Sequence, residues 1–240
     1  EKSGKQSDLL LQLKDAIADL SPAKPSTVWF DYYDGNNHND TTFQKKIEIV
    51  NRIFSDRRYR VIWDIGANDG QFSRLIAPSS KLILSLDFDH NAINANYIKT
   101  KSSPINNIIP LVFDITSPSP NIGFASAERT SLQSRSSPDA LLVLALIHHL
   151  CISHNIPFRY IASFFRRHDC DLIIEFVDRN DSQFQRLIRT KNMSYSWYTR
   201  ENFEKCFVEG FEIYDRINLL GSNRSIYLMK PVPYCSEEKT

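Results

Sequence analysis

Apolar residues in the first quarter of the chain recur at the three- and four-residue spacing of a helix face. This spacing predicts one helix over Ser7–Leu20 and a second over Thr42–Ser55. Pro22 and Pro25 end the first helix, because proline removes a backbone donor and clashes with the preceding turn. The aromatic, turn-rich stretch 29–37 between the two helices is predicted to be a loop.

From residue 60 onward, short apolar runs alternate with helical stretches, which is typical of βαβ units around a parallel sheet. The five candidate parallel strands are Arg60–Ile65, Lys81–Asp87, Ile109–Phe113, Ala140–Ile147 and Cys170–Val177. Two later runs, Phe211–Leu219 and Ser225–Lys230, are joined by a short turn and predict an antiparallel hairpin. The sequence therefore predicts an α/β fold with a seven-stranded, mostly parallel sheet, a C-terminal antiparallel hairpin and an N-terminal helical extension.

Composition narrows the functional classes. The 240 residues are 42% hydrophobic and 24% charged, which is typical of a folded globular protein. With 29 Lys+Arg against 28 Asp+Glu, the net charge of +1 argues against a strongly basic nucleic-acid binder, although a nucleic-acid substrate is not excluded. The longest apolar run, Ala140–Ile147, is too short to span a bilayer, and the polar start predicts no secretory leader.

Four cysteines, at positions 151, 170, 206 and 235, are widely separated and form no C-x-x-C pair. This pattern argues against a zinc site and favours free thiols in a reducing compartment. We therefore expect a cytoplasmic location and no bound metal.

The segment Asp64-Ile-Gly-Ala-Asn-Asp-Gly70 follows a buried candidate strand and contains residues that tolerate positive φ at positions 66, 68 and 70. Such a turn lets a ligand approach the backbone, and a helix that begins near Gly70 would point free N–H groups at that ligand. Asp64 can accept a hydrogen bond from a cationic amine. Similar turns occur in many proteins, so this segment alone does not establish a site.

Two further carboxylates strengthen the case for a nucleoside site. Asp87 ends the second candidate strand about 20 residues after Gly66, the spacing of the acid that binds ribose hydroxyls in dinucleotide folds. Asp114 ends the third strand. A single aspartate at such a place is usually a helix or turn cap. Three successive strands that end in aspartate at the carboxyl edge, where parallel sheets bind ligands, favour a nucleoside.

These residues resemble the motifs of the class I S-adenosylmethionine-dependent methyltransferases. Asp64–Gly70 resembles their motif I, Asp87 matches their ribose-binding acid, and Asp114 with Ile115 matches their adenine-contacting pair. Leu-Val-Leu-Ala-Leu-Ile-His-His-Leu over 142–150 is similar to their fourth motif. The family has a Rossmann-like fold whose seven-stranded sheet ends in an antiparallel hairpin, as predicted here.

The resemblance covers roughly residues 60–230, and it departs from the family at Asn68, where many members have glycine. Asp114-Ile-Thr-Ser-Pro-Ser-Pro, Ala127-Glu-Arg and the His-His-Leu run together resemble a bacterial subgroup that includes nodulation-type methyltransferases. The implied domains are an N-terminal extension and possible lid over 1–58, an S-adenosylmethionine-binding domain over 59–232 and a tail over 233–240.

The resemblance implies S-adenosylmethionine as the cofactor and methyl transfer by in-line displacement. The implied cofactor-binding residues are Asp64, Gly66, Ala67, Asn68, Gly70, Asp87, Phe88, Asp114, Ile115 and Ala145. The fourth motif lacks the Asn/Asp-Pro-Pro-aromatic run that marks methylation of DNA bases or protein amides in this family. Its absence favours a small-molecule or peptide acceptor.

His148 and His149 are the candidate catalytic residues, since a histidine near neutrality can act as a general base. Adjacent side chains point in different directions, so we expect at most one of them to face the substrate. The alternative is that one packs in the core and the other caps a turn. The candidate substrate contacts are Tyr32, Tyr33, Arg129 and Tyr198.

Three other functions stay open. A nicotinamide dehydrogenase shares the glycine turn and the second acid, but Gly66-Ala-Asn-Asp-Gly lacks the G-x-G-x-x-G spacing of that class. The same fold could transfer an aminocarboxypropyl or carboxymethyl group instead of methyl. A non-catalytic donor-binding or partner-binding domain of a larger protein is the third alternative.

The basic clusters Arg57–Arg60 and Arg166–His168 precede strands and are predicted to be solvated surface.

Overall fold

The computed structural model describes residues 2–20 and 40–233. The described strands form one seven-stranded sheet with helices packed on it. Its strands are β1 (Tyr59–Ile65), β2 (Ser80–Asp87), β3 (Ile108–Val112), β4 (Ala140–Val143), β5 (Asp171–Val177), β6 (Phe211–Asn218) and β7 (Arg224–Pro231). They lie in the order β3-β2-β1-β4-β5-β7-β6. Strands β1 to β5 are parallel, and β7 pairs antiparallel with both β5 and β6. The predicted fold class is confirmed.

The helices of the described ranges are α1 (Lys2–Ala18), α2 (Asp40–Ser55), α3 (Gln71–Ile76), α4 (His90–Lys101), α5 (Leu132–Arg135), α6 (Ile147–Ile152), α7 (Phe158–Arg166), α8 (Ser182–Ile188) and α9 (Arg200–Phe207). The leucine and isoleucine side chains of α1 are half exposed or more. In the two described ranges, no helix combines the length and apolarity needed to cross a bilayer. The predicted loop at 29–37 lies outside the described residues.

Two apolar layers cover the two faces of the sheet. Ile62, Leu142 and Ile173 belong to one layer, whereas Trp63 and Leu141 belong to the other. Because successive strand residues point to opposite faces, a strand covered on both sides is apolar throughout. This is why the central strands appear in the sequence as continuous apolar runs.

Helix α2 packs against the sheet, although it lies in the predicted N-terminal extension. Its residues Val50, Ile53 and Phe54 are buried in the layer that contains Ile62, and the helix also contacts α3. The boundary between residues 58 and 59 stays a prediction, but the packing of α2 brings its side chains to the site described below.

The predicted strand Ala140–Ile147 was too long. Strand β4 ends at Val143, Ala145 has a left-handed φ of 50°, and Ile147 begins α6. Leu144, before this turn, and Ile147, after it, are both buried. The apolar run therefore continued through a strand, a turn and a helix, and the pattern could not show where the strand stopped.

The prediction of solvated surface holds for Arg58, Arg60 and Arg167, which are exposed, but it does not hold for Arg57 and Arg166. Arg166 is buried, donates to Asp169 Oδ1 at 2.8 Å and also donates to the carbonyl oxygen of Val232. Arg57 is partly buried, and its NH1 donates to Asp171 Oδ2 at 3.2 Å. These arginines tie chain segments together at the amino edge of the sheet.

Three of the cysteines, Cys151, Cys170 and Cys206, are free thiols, and Cys235 lies outside the described residues. Within the part of the chain that the structure describes, no group of three or more His, Cys, Asp and Glu side chains is placed to hold a metal ion.

Candidate functional site

The turn between β1 and α3 is built from left-handed residues. Gly66, Asn68 and Gly70 have φ angles of 79°, 50° and 78°. The backbone N–H groups of Gly66 and Ala67 both donate to the carbonyl oxygen of Leu86, at 2.8 and 3.0 Å. The turn is therefore fixed to the end of β2, and asparagine at 68 adopts the conformation that glycine would.

Gly70, just before α3, allows α4 to pack closely against the turn. A Cβ atom at this position would lie 2.1 Å from Oδ1 of Asn96, a buried residue of α4 whose Nδ2 donates to Ser85 Oγ at 2.7 Å. Only glycine leaves room for this amide. Gly70 does not line the cavity described below.

Asp64 is a buried carboxylate near the carboxyl end of β1. Its Oδ2 accepts a hydrogen bond of 2.6 Å from Ser73 Oγ. Burial raises the pKa of Asp64 to about 7; the hydrogen bond from Ser73 opposes the shift, and the nearby charge of Asp87 adds to it. This group can thus change its charge near neutral pH.

Asp87 and Asp114 also lie at the carboxyl edge. Asp87 Oδ2 accepts from the backbone N–H of Asn68 at 2.8 Å, and Oδ1 accepts from that of Asp89 at 2.9 Å. Burial raises the pKa of Asp87. Asp114 is more exposed, and its Oδ1 accepts from both the backbone N–H and the hydroxyl of Thr116, at 2.8 and 2.6 Å.

The three carboxylates line one open cavity. It holds about 1050 Å³ of empty space, part of which opens to solvent, and this volume is enough for a nucleoside with a substituent. Nine of the predicted cofactor-binding residues line it: Asp64, Gly66, Ala67, Asn68, Asp87, Phe88, Asp114, Ile115 and Ala145.

The two histidines of α6 have different surroundings. His149 lines the cavity; burial lowers its pKa to about 4, helped by the charges of Arg224 and His154, so its ring is neutral at pH 7. His148 is fully buried outside the cavity lining, with its ring centroid 4.1 Å from that of His149. Neither ring nitrogen of His148 has a hydrogen-bond partner among the described residues.

No family model matches the chain. A curated relative, the nodulation protein NoeA of Rhizobium meliloti (strain 1021), is 29% identical over 221 residues. The match covers 91% of this chain but 46% of NoeA, so the chain spans about half the length of this relative.

Solved structures match over most of the described domain. One is the N-methyltransferase NodS from Bradyrhizobium japonicum WM9 in complex with S-adenosyl-L-homocysteine, with a TM-score of 0.61 at 13% identity. This match covers 85% of this chain and 97% of NodS. The magnesium protoporphyrin IX methyltransferase ChlM from Synechocystis PCC 6803 has a TM-score of 0.55 at 11% identity. This match covers 82% of this chain and 88% of ChlM. The chain has the class I S-adenosylmethionine-dependent methyltransferase fold.

Two of the four candidate acceptor residues, Arg129 and Tyr198, are absent from the cavity lining. Tyr198 is buried among aromatic rings and its hydroxyl donates to the carbonyl oxygen of Val177 at 3.0 Å. Arg129 is exposed and forms a backbone bridge with Ile122. Neither lines the cavity, and Tyr32 and Tyr33 lie outside the described residues.

Sequence reasoning missed three polar residues of the cavity wall, namely Lys46, Thr116 and Ser153. Lys46 could have been found, because it lies three residues after Phe43 and four before Val50, on the apolar face of α2. A lysine in an apolar stripe needs a buried partner. That partner is Glu175 of β5, whose Oε2 lies 2.5 Å from Lys46 Nζ.

Proposed function

We propose that this chain binds S-adenosylmethionine and transfers its methyl group to a small-molecule or conjugate acceptor by in-line displacement. The observation that carries the proposal is that Asp64, Asp87 and Asp114 line one cavity at the carboxyl edge of a methyltransferase-type sheet. The S-adenosyl-L-homocysteine complexes of NodS and ChlM, which share this fold, support the same donor.

The cavity offers a separate partner for each part of the donor. We assign the adenine to Phe88, Asp114 and Ile115, and the ribose hydroxyls to Asp87, whose carboxylate is already oriented by two backbone N–H groups. The turn at Gly66 lets the ligand approach the backbone. Asp64 is the proposed partner of the donor's amino group.

His149 is the proposed general base. Its ring is neutral at pH 7, so it can accept a proton from an acceptor hydroxyl or amine at the cavity wall. His148 lies behind it, and we assign His148 a packing role. S-adenosylmethionine brings its own activated methyl group, so the protein has to hold the acceptor in line and remove a proton.

Mass spectrometry of ligand that co-purifies with the full chain tests the donor. We expect S-adenosylmethionine or S-adenosyl-L-homocysteine, and NAD would overturn the proposal. The mass gained by an acceptor then separates methyl transfer from transfer of an aminocarboxypropyl or carboxymethyl group. Chain that binds the donor and turns over no acceptor class would favour a non-catalytic domain.

Asp87→Ala tests the site itself. We expect it to weaken S-adenosyl-L-homocysteine binding about tenfold or more in calorimetric titration, because a charged hydrogen-bond acceptor is lost. Asp171→Ala, at the amino edge of the sheet and outside the cavity, is the matched control. Equal weakening by both variants would place the ligand elsewhere. The cytoplasmic location and the lid over residues 1–58 stay predictions.

A further inference from the structure

Lys46 is a buried cation on the wall of the cavity. Its side chain is 8% exposed, and its Nζ lies 5.1 Å from the centre of the Phe72 ring. An ammonium group carries three N–H donors, and Glu175 accepts from Lys46 in the structure. No other hydrogen-bond partner of Lys46 occurs in the described part of the chain. Burying a charge is costly, so the remaining donors call for an anionic or polar partner.

Glu175 holds this ammonium group in place. Its Oε2 also accepts from the backbone N–H of Ala145 at 2.9 Å, at the left-handed turn that lines the cavity. Its Oε1 lies 3.4 Å from NH1 of Arg224, and Arg224 is in turn paired with Asp181 at 2.8 and 3.0 Å. Two cations and two carboxylates therefore form one buried network, which fixes the position of Lys46.

Lys46 lies at the end of the cavity opposite to Asp114. Glu175 is on β5 and Asp114 follows β3, with β2, β1 and β4 between these strands. Four strand spacings of about 4.8 Å separate the two ends by roughly 19 Å. The Lys46 end also contains Asp64. Burial lowers the pKa of Lys46, and the charges of Glu175 and Asp64 oppose this shift and favour the ammonium form. A cation and a carboxylate close together suit a zwitterionic α-amino acid group.

We propose that Lys46, held by Glu175, binds the carboxylate of the donor's amino-acid end and makes the cavity selective for adenosine thioethers that carry this carboxylate. The proposal rests on the proposed function and adds a residue outside the family motifs. Asp64 takes the ammonium group of the same end. The competing explanation is that the Lys46–Glu175 pair only anchors α2 to the sheet.

Two ligands separate these explanations. S-adenosyl-L-homocysteine has the amino-acid end, whereas 5′-methylthioadenosine lacks it and keeps the adenosine and the sulfur. Calorimetric titration of Lys46→Met should show S-adenosyl-L-homocysteine weakened about tenfold or more, and 5′-methylthioadenosine unchanged within about twofold. Lys46→Arg should recover part of the lost affinity, because it keeps the charge.

Lys45→Met is the matched control, because it removes the same charge from the exposed neighbouring position on α2. It should leave both affinities unchanged within about twofold. Equal weakening of both ligands by Lys46→Met, or no weakening of either, would overturn the proposal. Wild-type chain that binds neither ligand would overturn the proposed function itself, which is a different result.

Lys46→Met leaves Glu175 with less compensation, and this variant could fail to fold. The double variant Lys46→Met/Glu175→Gln removes both buried charges, and the amide oxygen can still accept from Ala145. We expect it to show the same selective loss of S-adenosyl-L-homocysteine affinity. If its two affinities fall together, the ion pair has only a structural role.

Discussion

At the scale of single residues, different degrees of burial give the motif aspartates different pKa values. Asp64 is buried and titrates near neutrality, whereas the pKa of Asp114 is lowered, since the hydrogen bonds from Thr116 outweigh the effect of its slight burial. The sequence placed both at strand ends but could not give their burial. That depends on which helices cover the sheet edge.

Binding of S-adenosyl-L-homocysteine should depend on pH through Asp64. The ligand's ammonium group favours the ionised carboxylate, and the pKa of Asp64 in the free protein is about 7. Affinity should therefore be greatest above pH 7 and fall as the pH drops, because Asp64 must then release a proton on binding. Calorimetric titrations between pH 5.5 and 8.5 measure this. Asp64→Asn should bind more weakly and lose this component of the pH dependence; an unchanged profile would assign the titration to another group.

His149→Ala should lower turnover about a hundredfold or more and leave donor affinity within about twofold, because a general base acts on the acceptor. The assay is release of S-adenosyl-L-homocysteine with an acceptor found by screening. Since the pKa of His149 is about 4, its protonation should not limit the wild-type rate between pH 6 and 8. His90→Ala, an exposed histidine on α4, is the control. Full activity of His149→Ala would remove it from the mechanism.

At the scale of elements, the β1–α3 turn depends on how α4 packs. The resemblance assigned Gly70 to cofactor binding, but a Cβ atom at this position would meet the Asn96 amide. The glycine pattern of a motif is visible in sequence. Whether a given glycine admits a ligand or a neighbouring helix is decided by distant packing.

Gly70→Ala should therefore destabilise the fold by about 3 kcal/mol or more, from left-handed strain together with the clash against Asn96. Gly221→Ala, at φ +84° with only an ordinary contact of 3.5 Å to Thr42, isolates the strain and should cost about 1 kcal/mol. Urea unfolding measures both. Equal losses would show that Asn96 moves aside easily.

The hairpin strand β7 is tied to β5 and α8 by a buried charge. Arg224→Met leaves Glu175 and Asp181 with one cation fewer and should destabilise the protein by roughly 3–5 kcal/mol. Arg216→Met on β6 breaks an exposed pair with Glu204 and should cost about 1 kcal/mol or less. Chemical denaturation compares them, and similar losses would contradict the buried network.

At the scale of the whole molecule, the ligand should stabilise the fold because its cavity draws residues from several strands and helices. At a hundred times its Kd, S-adenosyl-L-homocysteine adds about 2.7 kcal/mol of stability. In a domain of this size that should raise the Tm by about 5–10 °C. Differential scanning calorimetry measures the shift. NAD at the same concentration should produce none, and a larger shift with NAD would favour the dehydrogenase.

The sequence by itself determined the elements and the local chemistry of this protein. Its strand ends fell within one or two residues of those observed except at β4, and the motif aspartates follow from the strand boundaries. These features depend on neighbouring residues, through apolar periodicity and turn preference.

Tertiary structure decided which side chains face the cavity. Lys46 meets Glu175 across 129 positions of sequence, Tyr198 turns into an aromatic core, and His149 rather than His148 reaches the cavity wall. No local pattern encodes such choices, because they follow from how α2, α6 and the later strands pack on the same sheet. Burial then sets the charge of each group, and burial is a property of the assembled fold.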